Sequence, residues 1–313
     1  MTAFFDSRWV AQPDHVSEAP SGALPAGFRA HGVAAGLKPS GALDVALLVC
    51  DAPDCTSAAR FTASGVLAAP VVLCQTRCDL GRLRAVAANA GNANAATGGQ
   101  GMDAAAKMQG AAAMCAGVPE NQVAIASTGV IGVQLPADRV VKGLLDARGG
   151  LSDHYGTFAE AIRTTDAFPK QAALDVQLEG GTVRLSAQCK GAGMIEPNFA
   201  TMLCFVQTDA ALSAETADLL LGVCVKRSFN RVSVDGQLST NDTAILMASG
   251  ESGVRIEPQT STFSIWMPSS TGAPVSAPPT ACAMRPQLGS PPCSAALTSG
   301  ELATARAARS QAP

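Results

Sequence analysis

The chain is predicted to fold as an α/β (α+β) protein, a class that layered mixed sheets covered by helices fit, and three observations carry that prediction. Short apolar or β-branched runs recur along the first 250 residues. Ala- and Leu-rich stretches with helix stop signals lie between some of them. The two kinds of segment do not alternate strictly, so a doubly wound parallel sheet is not required, and layers of mixed sheet fit as well.

The expected strands cover residues 43–49, 71–74, 84–88, 123–126, 182–187, 203–208 and 243–248, each a short run bounded by turn residues. Helices are expected over 103–116, stopped by Gly117 and Pro119; over 137–148, stopped by Gly149-Gly150; and over 214–228, opened by the capping Ser213. From about Phe263 the texture changes. Pro and Ser become too frequent for helices or interior strands, and residues 263–313 read as a disordered tail, either low-complexity sequence or the translation of a shifted reading frame.

Composition bounds the function. With 47% hydrophobic and 15% charged residues in 313, a sizeable core is available and the charge is too low for a disordered chain. Aromatics make up 4%, so Ala, Val, Leu and Ile must build that core. A formal charge of −3 argues against a broad basic surface for nucleic acid or anionic membrane. The longest apolar stretch, residues 66–74, is broken by Pro70 and is less than half the roughly 20 residues a membrane span needs. The N-terminus carries no basic start followed by an apolar run, so no secretory signal is expected and the location is expected to be cytoplasmic. Ten Cys are spread singly through apolar segments, as buried free thiols are. No Cys-x-x-Cys occurs, and no metal site is expected.

Five segments could carry chemistry. In Cys189-Lys-Gly-Ala-Gly-Met-Ile-Glu-Pro-Asn-Phe-Ala-Thr201 a Gly-rich loop with one Lys runs into a Thr at a strand start. A Thr hydroxyl is a poor nucleophile without an adjacent base, and a Thr with a free α-amine carries that base itself. Cutting the Ala200-Thr201 bond makes such an amine. The hydroxyl can do this by attacking the preceding carbonyl in an N-to-O acyl shift. In Ser127-Thr-Gly129 a hydroxyl and a backbone N–H can converge on an oxyanion, or simply form a turn. The Asn-rich run 89–94 leads to Gly99, Gly101 and Ala104, a loose G-x-G-x-x-A that starts about ten residues too far from its strand for a dinucleotide turn. Thr164-Thr165-Asp166 either binds a ligand or ends a helical stretch, and residues 228–242 pack polar groups around Gly236. His15, His31 and His154 stand in unrelated contexts.

Gly27-Phe-Arg-Ala-His-Gly32, Asn89-Ala-Gly-Asn-Ala-Asn94, Ser127-Thr-Gly-Val-Ile-Gly132, Thr164-Thr-Asp166, Lys190-Gly-Ala-Gly-Met-Ile195, Pro197-Asn-Phe-Ala-Thr-Met-Leu203, Ser228-Phe-Asn-Arg231, Asp235-Gly236 and Ser239-Thr-Asn-Asp242 occur in this order. Together they make the chain resemble the ornithine acetyltransferase (glutamate N-acetyltransferase) family of arginine biosynthesis, from Gly27 to Gly253.

The resemblance implies self-cleavage between Ala200 and Thr201. An α chain, residues 1–200, would stay with an incomplete β chain, residues 201–262, that begins with the nucleophile, within a heterotetramer. It implies that Thr201 takes an acetyl group from N-acetylornithine and passes it to glutamate, with acetyl-CoA an additional donor in some members. Thr128 and Gly129 would form the oxyanion hole, and Thr164 and Lys190 would hold substrate, Lys190 by pairing with a carboxylate. No cofactor is implied. The family's acidic Asp-Gly-Glu-Gly type segment is not found after Gly253. Two alternatives therefore stand beside the enzyme: an inactive truncated or frame-shifted product, and a nucleotide-binding α/β protein resting on the Gly99 loop.

Overall fold

Ten strands in two sheets, together with five helices, make up the computed structural model, which describes residue 5, residues 11–196 and residues 202–257. These residues belong to one unit, Met1–Ser269, and a second unit, Ser270–Pro313, lies wholly outside them. The expectation of a disordered tail over 263–313 also falls outside the described residues.

The strands are β1 (Val16–Glu18), β2 (Phe28–Val33), β3 (Val45–Cys50), β4 (Thr56–Phe61), β5 (Ala85–Asn92), β6 (Val123–Val130), β7 (Lys170–Leu178), β8 (Gly181–Lys190), β9 (Leu203–Thr208) and β10 (Thr243–Ala248). The helices are α1 (Ala69–Arg77), α2 (Gly98–Ala116), α3 (Ala137–Arg148), α4 (Gly156–Ala161) and α5 (Ala214–Arg227). One sheet has the order β1-β7-β8-β9-β10-β4, the other β2-β3-β5-β6. Most neighbours are antiparallel; β5/β6 and β9/β10 are parallel. Parallel neighbours need a crossover, and α2 and α5 supply the two. The expected mixed, layered α/β architecture is therefore the one observed.

Alternation places β9 and β10 between two cores. Leu203, Phe205, Ile245 and Met247 join the larger core, which also contains β3, β5 and β6 and the inner faces of α2 and α3. Their neighbours Cys204, Ala244, Leu246 and Ala248 pack with Ala217, Leu220 and Leu221 of α5. Such a period of two, apolar on both faces, is what a covered central strand requires. Phe158 of α4 meets Phe205 edge-on, with centroids 5.5 Å apart. Small residues dominate the buried face of α2, including Ala104, Ala105, Ala111 and Ala112.

One expected strand is a helix. Residues 71–74 lie inside α1, where Pro70 stands in the first turn, the place where its missing N–H costs nothing. Val71, Leu73 and Cys74 are buried there, and a four-residue apolar run suits a buried helix turn as well as a strand. Strands β1, β2, β4 and β7 and helix α4 are additional to the expected elements. Their residues, such as Thr-Ser-Ala-Ala-Arg-Phe in β4, gain a strand's pattern only from their neighbours. Helix α2 starts at Gly98, five residues earlier than expected, so Gly99 and Gly101 are helical and form no turn between strand and helix. A Cβ on Gly101 would lie 1.9 Å from Thr97 Oγ1, which is a packing reason for that glycine.

Candidate active site

The C-terminal end of β6 is built by its neighbour. Ser127 is fully buried and donates to Asn89 Oδ1 at 2.6 Å. Asn89 Nδ2 donates to the Asn92 carbonyl at 2.8 Å, and Asn92 Oδ1 accepts from Asn94 N–H at 2.8 Å. Asn92 Nδ2 also reaches the Val133 carbonyl at 3.1 Å. The Asn-rich run is thus the scaffold that shapes the end of β5 and ties it to the segment leaving β6. Gly129 has φ +133°, and a Cβ there would sit 2.3 Å from the Gly91 carbonyl carbon, so the strand can turn only at a glycine.

Thr128 and Gly129 face a cavity of about 700 Å³, and Thr164, Thr165 and Lys190 line it as well. Four residues singled out in the sequence, Thr128, Gly129, Thr164 and Lys190, are brought to one place from β6, the loop after α4 and the end of β8. Lys190 is 4% exposed and its Nζ donates to Thr128 Oγ1 at 3.1 Å. Burial pushes its ammonium below the usual lysine range; Asp166, Cys189 and Asp242 oppose that, and Lys170 reinforces it. Ala200 and Thr201, the expected cleavage pair, lie outside the described residues.

Beyond that gap the chain is firmly held. Met202 N–H donates to Asp242 Oδ1 at 2.9 Å, and the Met202 carbonyl accepts from Thr243 N–H at 2.9 Å. Asp242 is fully buried and its Oδ2 has no hydrogen-bond partner. Desolvation raises its pKa to about 7 against the pull of the Met202 N–H and Lys190. The hydroxyls of Ser239 and Thr62 also favour the charged form from nearby, but Thr62 donates to the Ser239 carbonyl at 2.6 Å. Asp235 caps the Gly-rich loop by accepting from Met194 and Ile195 N–H at 2.6 and 2.8 Å, and these two bonds hold its carboxyl below the usual range.

The cavity also contains Lys38, Gly91, Met194, Ser239 and Asn241, none assigned a role from sequence. Asn241 and Ser239 stand in the polar run 228–242; their burial comes from packing against residues 62–68 and 93. Lys38 carries no signal at all in its loop, and its Nζ is spent on the Leu43 carbonyl at 2.5 Å. The eight described cysteines are all free thiols. Among the described residues no helix is long and apolar enough to cross a membrane.

Comparison with known proteins identifies the family. The arginine biosynthesis bifunctional protein ArgJ of Symbiobacterium thermophilum is 50% identical over 232 residues, which cover 73% of this chain and 58% of that protein. The ArgJ protein of Rhodopirellula baltica is 46% identical, with 73% and 56% covered. The chain thus spans just over half the length of these relatives. A crystal structure of Mycobacterium tuberculosis ornithine acetyltransferase complexed with ornithine is 35% identical, with a TM-score of 0.54 over 60% of this chain and 100% of that one. The Bacillus halodurans ArgJ structure gives 33% and 0.53, over 60% and 98%. The ArgJ family profile matches residues 29–269, more than three quarters of the sequence, and the chain belongs to the ArgJ family.

Proposed function

We propose that the chain is a self-processing acetyltransferase of arginine biosynthesis that moves an acetyl group from N2-acetyl-L-ornithine to L-glutamate through an acetyl-Thr201 intermediate, with acetyl-CoA as a second donor. The observation that carries this reading is the convergence of Thr128, Gly129, Thr164 and Lys190 on one cavity.

In processing, the Thr201 hydroxyl attacks the Ala200 carbonyl, an ester C–O bond forms, the C–N bond breaks and the hydroxyl proton passes to the departing nitrogen. Water then hydrolyses the ester, returning the hydroxyl and leaving an Ala200 carboxylate and a Thr201 α-amine. In turnover the same hydroxyl takes the acetyl group, ornithine leaves with the proton, and glutamate's amine reverses the step. Thr128 and Gly129 are assigned to the oxyanion. Because Thr128 Oγ1 accepts from Lys190, its own O–H stays available to donate to a developing negative charge, and a cation behind it strengthens that donor. Lys190 and Thr164 are assigned to the substrate, Lys190 to its carboxylate.

The sheet supports association of the two fragments after cleavage. β9, downstream of the cut, pairs with β8 upstream from Leu185↔Thr208 to Lys190↔Leu203, and β10 pairs with β4 over six residues.

Mass spectrometry of the purified chain tests the proposal. Fragments 1–200 and 201–313 are expected, with an intact chain for Thr201→Ala. A folded wild-type chain that stays whole overturns self-processing and leaves the inactive product as the reading.

A further inference from the structure

The backbone behind Lys190 is gripped by an ion pair that the proposed chemistry leaves unused. Asp166, in the loop after α4, is 4% exposed, and its Oδ1 accepts from Gly191 N–H at 2.8 Å and from Lys170 Nζ. Lys170, the first residue of β7, also donates from Nζ to the Gly191 carbonyl at 3.0 Å. Both polar groups of the residue after Lys190 are therefore bonded to one carboxylate–ammonium pair. The N–H of cavity-lining Thr164 stands 3.5 Å from the other Asp166 oxygen.

Burial works to raise the Asp166 pKa, but Lys170, the Gly191 N–H and Lys190 together hold it below the usual range. The charged or titratable groups that face Lys190 are Asp166, Lys170 on β7, Asp242 before β10 and Cys189 on its own strand. Two lysines thus flank one buried carboxylate, and one of them turns into the cavity.

We propose that Asp166 and Lys170 are positioning residues for Lys190: the pair fixes the Lys190–Gly191 peptide so that Nζ stays on Thr128, and its two members set, in opposite directions, the pH range over which the cavity binds a carboxylate. The proposal rests on the reading of Lys190 as the group that meets the substrate carboxylate. With the Asp166 charge gone, the repulsion between the two ammonium groups is offset only by the more weakly acting Asp242 and Cys189, and Lys190 gives up its proton at lower pH. With Lys170 gone, Asp166 serves Lys190 alone, which then keeps its proton to higher pH. A purely structural clamp has no reason to move the two variants apart.

The test uses the full chain labelled with [ε-13C]lysine, titrated by NMR, with the Lys190 signal assigned through Lys190→Met. L-Glutamate binding is measured by calorimetry across the same pH range, and circular dichroism reports folding. The Lys190 midpoint is expected to fall by about one unit in Asp166→Asn and to rise in Lys170→Met, with glutamate binding on the alkaline limb weakened about tenfold in the first. Midpoints that stay put or move in the same direction overturn the proposal. If Asp166→Asn does not fold, Lys170→Met decides alone, since that side chain is 38% exposed; an unchanged or lowered midpoint there overturns the proposal. Midpoints that shift as expected while glutamate affinity does not follow overturn the carboxylate reading of Lys190, and with it the pH-range half of the proposal.

Discussion

Replacing Asp242 by Asn removes the most displaced carboxyl group in the site. The folded pKa of about 7 stands roughly 3 units above the ordinary aspartate value near 3.9 that the unfolded chain has. Below pH 4 both states hold the proton and the group contributes nothing. Between about pH 4 and 7 the unfolded state releases its proton while the folded state keeps it, so stability falls with rising pH at about 1.4 kcal/mol per unit, and it is level above 7. The loss totals about 4 kcal/mol, or roughly 10 °C in Tm for a folded unit of this size. Asn cannot ionise, yet its amide oxygen can still accept from Met202 N–H, so Asp242→Asn is expected to flatten the curve and preserve the backbone contact. Urea unfolding at pH 4, 5, 6, 7 and 8, with both chains carrying Thr201→Ala to keep them uncut, gives the comparison. Parallel curves for the two chains would refute a buried, poorly solvated carboxyl at this position.

Three further substitutions probe the frame of the site. Gly129→Ala places a Cβ 2.3 Å from the Gly91 carbonyl carbon at a φ of +133°, so the β5/β6 ends must part; loss of self-cleavage and a clearly lower Tm are expected. Phe205→Ala empties the contact between β9 and Phe158 of α4 and is expected to cost about 3–5 kcal/mol in urea unfolding. Ser213→Ala removes the cap that accepts from Thr216 N–H at 3.2 Å and should lower stability by about 1 kcal/mol without changing cleavage, because it lies on the α5 side of the sheet.

Elements whose own residues carry a long or strong pattern were legible without a structure. Helix α3 runs over Ala137–Arg148 as its spacing and the Gly149-Gly150 stop predict, and β9 and β10 occupy the expected residues. Residues 71–74 failed because four apolar residues fit either period, and Pro70 settled the choice by opening a helix. β2 and β4 escaped because Gly32 and the small, partly polar residues of β4 become strand only against β3 and β10. Of the site, Thr128, Gly129, Thr164 and Lys190 were legible as motifs, whereas Lys38 carries no local pattern at all.

The sequence by itself determined the α/β class, the family, and the residues proposed for acyl transfer, because these reside in local pattern and in motif order along the chain. Only the tertiary structure decided that Lys190 touches Thr128 across 62 positions of sequence, that Asp166 and Lys170 stand behind it, and that Asp242 is shut away from water beside Met202. Those are matters of distance and burial. Two sheets and their loops must pack before an ammonium, a hydroxyl and a carboxylate separated in sequence share one desolvated space, and only then do their charges act on one another.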